Sequence, residues 1–176
     1  YRFEAPAGVP YDVEWAGERP AELPLHRAAS RDALAVCGAW ADADVRISFA
    51  KAKTDDAWGF ALTAANLLGL VPPESDAARW HAEDRVLHLL RLVPPDVALI
   101  DAVVGSDGAA GASVASPCAT ATIVAARDAR VADWIGALKM GADPAGSPLT
   151  APALARLGVP DDWTLVAGST APWPGW

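Results

Sequence analysis

Apolar positions along the chain come in short runs of two kinds, and the alternation between them predicts strands interleaved with helices. Residues 45–50 read as a strand, and residues 97–104, rich in Val and apolar but for Asp101, read as a strand buried in a sheet. Residues 121–126 and 164–167 read as two further strands. Helical spacing predicts a helix from Ser30, a good N-cap, to about Asp42, burying Leu34, Cys37 and Ala41. Residues 58–70 are apolar almost all round and predict a buried helix, stopped near Gly69 by Pro72 and Pro73. A second helix is expected over about 76–92, ended by Pro94 and Pro95. A third spans 129–140 with Val131, Trp134, Ile135 and Leu138 on one face, and a short one 152–157. Strands alternating with helices imply an α/β fold, a two- or three-layer mixed sheet with mostly parallel neighbours.

Residues 1–28 carry Pro6, Pro10, Pro20 and Pro24, which forbid a long helix. Only Tyr11, Val13 and Trp15, alternating with Asp12 and Glu14, suggest a short strand there. The expected organisation is therefore a proline-rich arm over 1–28, one α/β domain over 29–170 and a Trp/Pro tail over 171–176. The chain opens at Tyr1 in mid-pattern, so an N-terminally incomplete sequence is expected.

At 176 residues the chain is long enough to bury a core without metal or disulfide support. Its net charge is -8, with only the middle third balanced between acids and bases, which argues against nucleic acid and anionic membrane as partners. No apolar stretch is long enough to span a bilayer and no basic leader opens the chain, so a cytoplasmic protein is expected. Cys37 and Cys118 are the only thiols, so the chain alone assembles neither a zinc ribbon nor a four-cysteine cluster, and no metal site is predicted.

Candidate chemistry gathers where apolar runs end. Lys53 comes just beyond the 45–50 strand and Asp101 lies inside the 97–104 strand. If the two strands are parallel neighbours, both charges approach the carboxyl edge of the sheet, where open α/β folds bind ligands. A carboxylate in an apolar run needs a partner, and Lys53 is the first candidate. Thr63 and Asn66, three apart on an otherwise apolar helix, either face that cavity, with Asn66 orienting a ligand, or serve packing and a loop carbonyl. Gly105, Gly108 and Gly111 match neither a dinucleotide fingerprint nor a Walker loop. They form a turn or a nest of backbone N–H groups with Ser106 and Asp107 at its lip. Asp128 stands between a strand and a helix as an N-cap. Asp133 lies off the apolar face of its helix, so it is either solvated or turned toward the sheet edge. His81 and His88 are too far apart along one helix to share a metal ion.

In order along the chain stand Lys53–Thr54, Asn66 with Gly69, Asp101 before Gly105 and Gly108, Asp128 with Asp133, and Met140–Gly141. In these phrases the chain resembles the domain of unknown function 362 family, some members of which carry ferredoxin-like cysteine motifs. The resemblance runs over residues 42–168. It departs at Asp55, where the family has His, at Ala65, where it has Lys, and in lacking the ferredoxin-like cysteines. It implies an α/β fold and a hint of redox association, with electrons coming from a separate partner and no cofactor specified. The resulting expectation is a domain that binds a small anionic or metal-chelated ligand through Lys53, Thr54, Asn66, Asp101, Asp107, Gly108, Asp128 and Asp133. The alternative is a non-catalytic binding or assembly domain with a degenerate ancestral site, a reading that the eight tryptophans also fit.

Overall fold

The runs at 45–50 and 97–104 become the two central strands of a four-stranded sheet in a computed structural model that describes residues 15–25, 33–108 and 116–176. The strands are β3 (Ile47–Asp55), β4 (Gly59–Ala61), β5 (Val97–Asp107) and β6 (Ser116–Ala126), in the spatial order β4-β3-β5-β6. The fold is α/β, but the expected mostly parallel sheet is corrected. Only β3 and β5 run parallel, and the β4–β3 and β5–β6 pairs are antiparallel. The reason is local: β4 returns directly from the end of β3 through a turn at Asp55 and Gly59, where Gly59 has a φ of 77°.

Two earlier strands, β1 (Pro20–Pro24) and β2 (Ala33–Cys37), form a separate antiparallel pair. The helix expected over 30–42 is thus mostly strand; only α1 (Gly38–Asp42) is helical, and Ser30 lies outside the described residues. The continuous Leu34–Cys37 apolar run suits either state, and pairing with β1 decides it. Likewise 58–70 is divided into β4, α2 (Thr63–Leu67) and a 3₁₀ turn, Leu68–Leu70. The 76–92 helix splits into a 3₁₀ turn, Asp76–Arg79, and α3 (Ala82–Leu92). The remaining helices, α4 (Ala129–Lys139) and α5 (Ala151–Leu157), stand close to where they were expected. No strand forms at 164–167, where Leu165 and Val166 are exposed. Tyr11 and Val13 lie outside the described residues.

Helix α4 shows why the sheet has a covered side. Its start is capped by Asp128, whose carboxylate accepts the N–H of Arg130 at 2.7 Å. Its end is a left-handed turn at Gly141 (φ 71°), with Gly141 N–H donating to Leu138 and Ala142 N–H to Ala137. The Met140–Gly141 phrase is therefore a helix stop. Between these ends Ala129, Ala132, Ile135 and Met140 bury against Ala52, Ala98, Ile100, Ala102 and Val124 of the sheet. A second cluster joins Leu34 and Val36 of β2 to Leu67, Val71, Leu89 and Val93. The tail beyond α5 returns to the main core: Trp173 is buried, its N–H donates to the Lys139 carbonyl, and Trp176 packs on Gly105. Among the described residues no helix is long and apolar enough to cross a membrane.

Candidate functional site

Parallel pairing of β3 with β5 sets Lys51 beside Asp101, and Lys51 Nζ meets Asp101 Oδ2 at 2.8 Å. The expected Lys53–Asp101 pairing is corrected to this one. Lys53 stands two residues further, in register with Ser106 of β5 and Ala61 of β4. The cause is a register shift between Lys51 and Lys53 on one side of β5, matched by a second between Ala102 and Val104 on the other. Asp101 sits at the level of both irregularities, and its Oδ1 also accepts the N–H of Val103 at 2.9 Å. The Lys51 ammonium and the Val103 N–H hold the Asp101 carboxyl below the usual carboxylate range.

Further toward the carboxyl end of the same strands, Thr54 and Gly108 come together. Thr54 Oγ1 accepts the Gly108 N–H at 2.8 Å and lies 3.3 Å from its carbonyl, latching the exit of β5 onto β3. Asp107 closes β5 in register with Ser116 of β6. Lys53, Thr54, Asp107 and Gly108 thus lie toward the carboxyl end of the central strands, while Asp101 stays mid-strand beside Lys51. Gly111 lies outside the described residues.

Three predicted residues are elsewhere. Asn66 is on the helix-covered side, where its Nδ2 donates to Ser48 Oγ at 3.1 Å, across the sheet from Asp101. Asp128 lies at the opposite end of the sheet and takes a bidentate contact from Arg130, whose Nη1 also donates to the Leu157 carbonyl. Burial works to raise the Asp128 carboxyl, yet the Arg130 guanidinium and N–H keep it below the ordinary range.

Asp133 is neither solvated nor turned to the sheet edge: it is buried between α4 and α2, 6% exposed. Its two oxygens accept the N–H groups of Thr63 and Ala64 at 2.8 and 2.9 Å. Helix α2 begins at apolar Leu62, which supplies no capping oxygen, so a carboxylate from a distant helix caps it. Burial pushes the Asp133 carboxyl up to about 6, against the pull of those N–H groups toward the ionised form. The two acids of the 128–133 phrase therefore cap two different helices. Asp55, at the family's His position, accepts the N–H groups of Ala57 and Trp58 and shapes the β3–β4 turn.

Sequence reasoning missed Lys51, Arg130 and Lys139. Period-two alternation along Ile47–Asp55 puts Lys51 and Lys53 on one face, but only the β3–β5 register says which of them meets Asp101. Lys139 is buried because its Nζ donates to the Ala171 carbonyl at 2.6 Å and lies over the Trp173 ring, fastening the tail.

Two other features bear on binding. A groove of about 500 Å³ opens at the start of α4, lined by Arg91, Pro94, Arg127, Asp128, Arg130 and Leu157 among others. In contrast to its helix-covered side, the other face of the sheet is covered by no helix among the described residues: Ile47, Phe49 and Ile123 are 56%, 58% and 54% exposed. Register puts them in adjoining rows, Ile47 beside Val97, Phe49 beside Leu99 and Ala125, and Lys51 beside Asp101 and Ile123.

A mixed sheet with helices on one side and capped helix starts at 63 and 129 defines an α/β domain whose other sheet face is bare among the described residues. The chain matches the family described as Domain of unknown function (DUF362) over residues 5–138, about three quarters of its length, and it belongs to that family. No curated protein and no solved structure matches it.

Proposed function

We propose that this domain works by docking: its bare sheet face receives an apolar, weakly charged protein surface, and the reading assigns no reacting group. The observation that carries it is the exposure of Ile47, Phe49 and Ile123 in one contiguous patch around a single ion pair. Monomeric surfaces rarely leave large apolar side chains contiguous, and patches of this kind mark interaction sites. The disposition of the candidate polar groups supports the same reading. Asp133 and Asp128 cap helices, Thr54 latches Gly108, and Asp101 is neutralised by Lys51.

Lys51→Asp breaks the ion pair while leaving every apolar side chain of the patch in place. This variant is expected to bind a hydrophobic-surface dye, and adding Phe49→Ser should remove most of that binding. Equal fluorescence with and without Phe49→Ser, both variants remaining folded, would overturn the reading.

A second reading, binding of a small anionic ligand, is favoured by the groove at the start of α4. Its volume of about 500 Å³ suits a small molecule. Arg130 is engaged by Asp128 and the Leu157 carbonyl, whereas Arg91 and Arg127 are exposed, and among the described residues neither has an ion pair. Titration with inorganic pyrophosphate should release heat in the wild type and not in Arg91→Ala/Arg127→Ala. No heat in the wild type contradicts it.

A further inference from the structure

Resting on the docking reading, we infer that the surface received by the bare face is the same face of a second copy of this chain. The juxtaposition that carries it is a Lys51–Asp101 ion pair on adjacent parallel strands, set among Phe49, Leu99, Ile47 and Ile123.

The charge pattern is complementary to itself. A two-fold axis running along the strands between β3 and β5 exchanges those strands between copies. It sets Lys51 against the partner's Asp101 and Asp101 against the partner's Lys51, forming a square of alternating charge. The same operation lays Phe49 against the partner's Leu99 and Ile47 against the partner's Val97. Strand directions then stay aligned across the interface, as sheets packed face to face require. Two-fold contacts use one patch twice, so only a self-complementary patch qualifies.

Net charge favours this face over others. The chain carries -8 in all, so most of its surface repels a second copy. Along β3 the alternation puts Lys51, Lys53 and Asp55 on the bare face, which with Asp101 sets two bases against two acids and makes this a region free of the acidic excess. An ion pair buried by an apolar partner would lose water without compensation, whereas a reciprocal pair restores opposite charges on both sides.

Area is sufficient. Strands about 4.8 Å apart, about nine residues long at about 3.3 Å each with a short fourth strand, make a face on the order of 500 Å². Two such faces reach the ~1,000 Å² that a specific interface needs. Edge pairing is the competing mode of self-association, and the sheet resists it. The outer strand β6 carries Pro117, which has no N–H, and a register shift with Ala121 at a φ of 52°. The other outer strand, β4, is three residues long.

The test uses two charge variants of the full chain. Lys51→Asp places two acids on the face and Asp101→Lys places two lysines. Each alone sets like against like across the axis and should sediment as a monomer, while the wild type sediments as a dimer. Mixing the two should restore a dimer containing one of each, a result that a merely structural role for either residue would not produce. Circular dichroism of each variant confirms that it is folded, and Lys51→Glu with Asp101→Arg serves as a second pair should one fail to fold. A monomeric wild type at high concentration, or variants that stay monomeric on mixing, overturns the inference. If that occurs while the dye still reports a Phe49-dependent apolar face, the docking reading stands and its partner is a different protein. If the dye binding is also absent, both fall.

Discussion

On the helix-covered face the strands present Ala50, Ala52, Ala98, Ile100 and Ala102, whereas on the other they present Ile47, Phe49, Leu99 and Ile123. Four of these five are Ala, which lets the covering helices approach closely, and all five are at most 2% exposed. Larger side chains sit on the face that no described helix covers. In an ordinary one-sided sheet the outer face alternates to polar residues. Here both faces of β5 are apolar, the pattern of a strand covered on both sides. Burial within one chain thus uses only half of what the β3 and β5 sequences provide, and on the docking reading the other half is area held for another surface.

The largest expected effect sharpens that contrast. Ile100→Ala, at a position with no exposure, should destabilise the chain by about 2–5 kcal/mol, whereas Phe49→Ala should stay within about 0.5 kcal/mol. Both are to be read by denaturant unfolding in the Lys51→Asp background, which keeps the face unoccupied. Comparable costs for the two would break the distinction between faces.

Next comes the cap beneath the covered face. Asp133→Ala leaves the Thr63 and Ala64 N–H groups without an acceptor and should cost about 2–3 kcal/mol at pH 7. A change under half a kcal/mol would show that the cap is dispensable.

The same residue gives a pH signature. Its carboxyl titrates near 6 when folded and near 3.8 when free, so the native state holds the extra proton between those values. The proton-linked part of its contribution is therefore fully present below pH 3.8 and is lost as pH rises through 6, leaving the cap hydrogen bonds themselves. Relative to Asp133→Asn, the wild type should gain up to about 3 kcal/mol on acidification from pH 7 to 4. Asp101 and Asp128, held low when folded, act with the opposite sign, and their contribution disappears as pH falls below 3.8. Parallel pH profiles for the wild type and Asp133→Asn would contradict the assignment.

The smallest effect belongs to the ion pair on the bare face. Lys51→Met should change the stability of the dilute monomer by less than about 1 kcal/mol, because the pair is open to solvent on the side of Lys51. A loss of several kcal/mol would make the pair a folding element instead of an element of recognition.

Much of this architecture was legible from residues alone. The central strands, α4 with its Asp128 cap, and the short α5 follow from periodicity and capping chemistry. What escaped were outcomes of pairing. Leu34–Cys37 is short and continuous, so a helix and a strand look alike until β1 supplies hydrogen bonds. The hairpin hidden in 58–70 depends on Gly59 at positive φ and the Asp55 turn, features masked by a helix-forming composition. Of the candidate residues, Lys53, Thr54, Asp107 and Gly108 lie toward the carboxyl end of the central strands, whereas Asp101 sits mid-strand beside Lys51. The identity of Asp101's partner depends on a register shift that no local pattern encodes, and the role of Asp133 depends on a helix start about seventy residues away.

The most direct measurement is hydroxyl-radical footprinting of the wild-type chain from dilute to concentrated solution. Oxidation of Phe49, Ile47 and Ile123 should fall with concentration while that of exposed Val166 stays constant. Constant oxidation of all four would contradict a face that closes against its own copy.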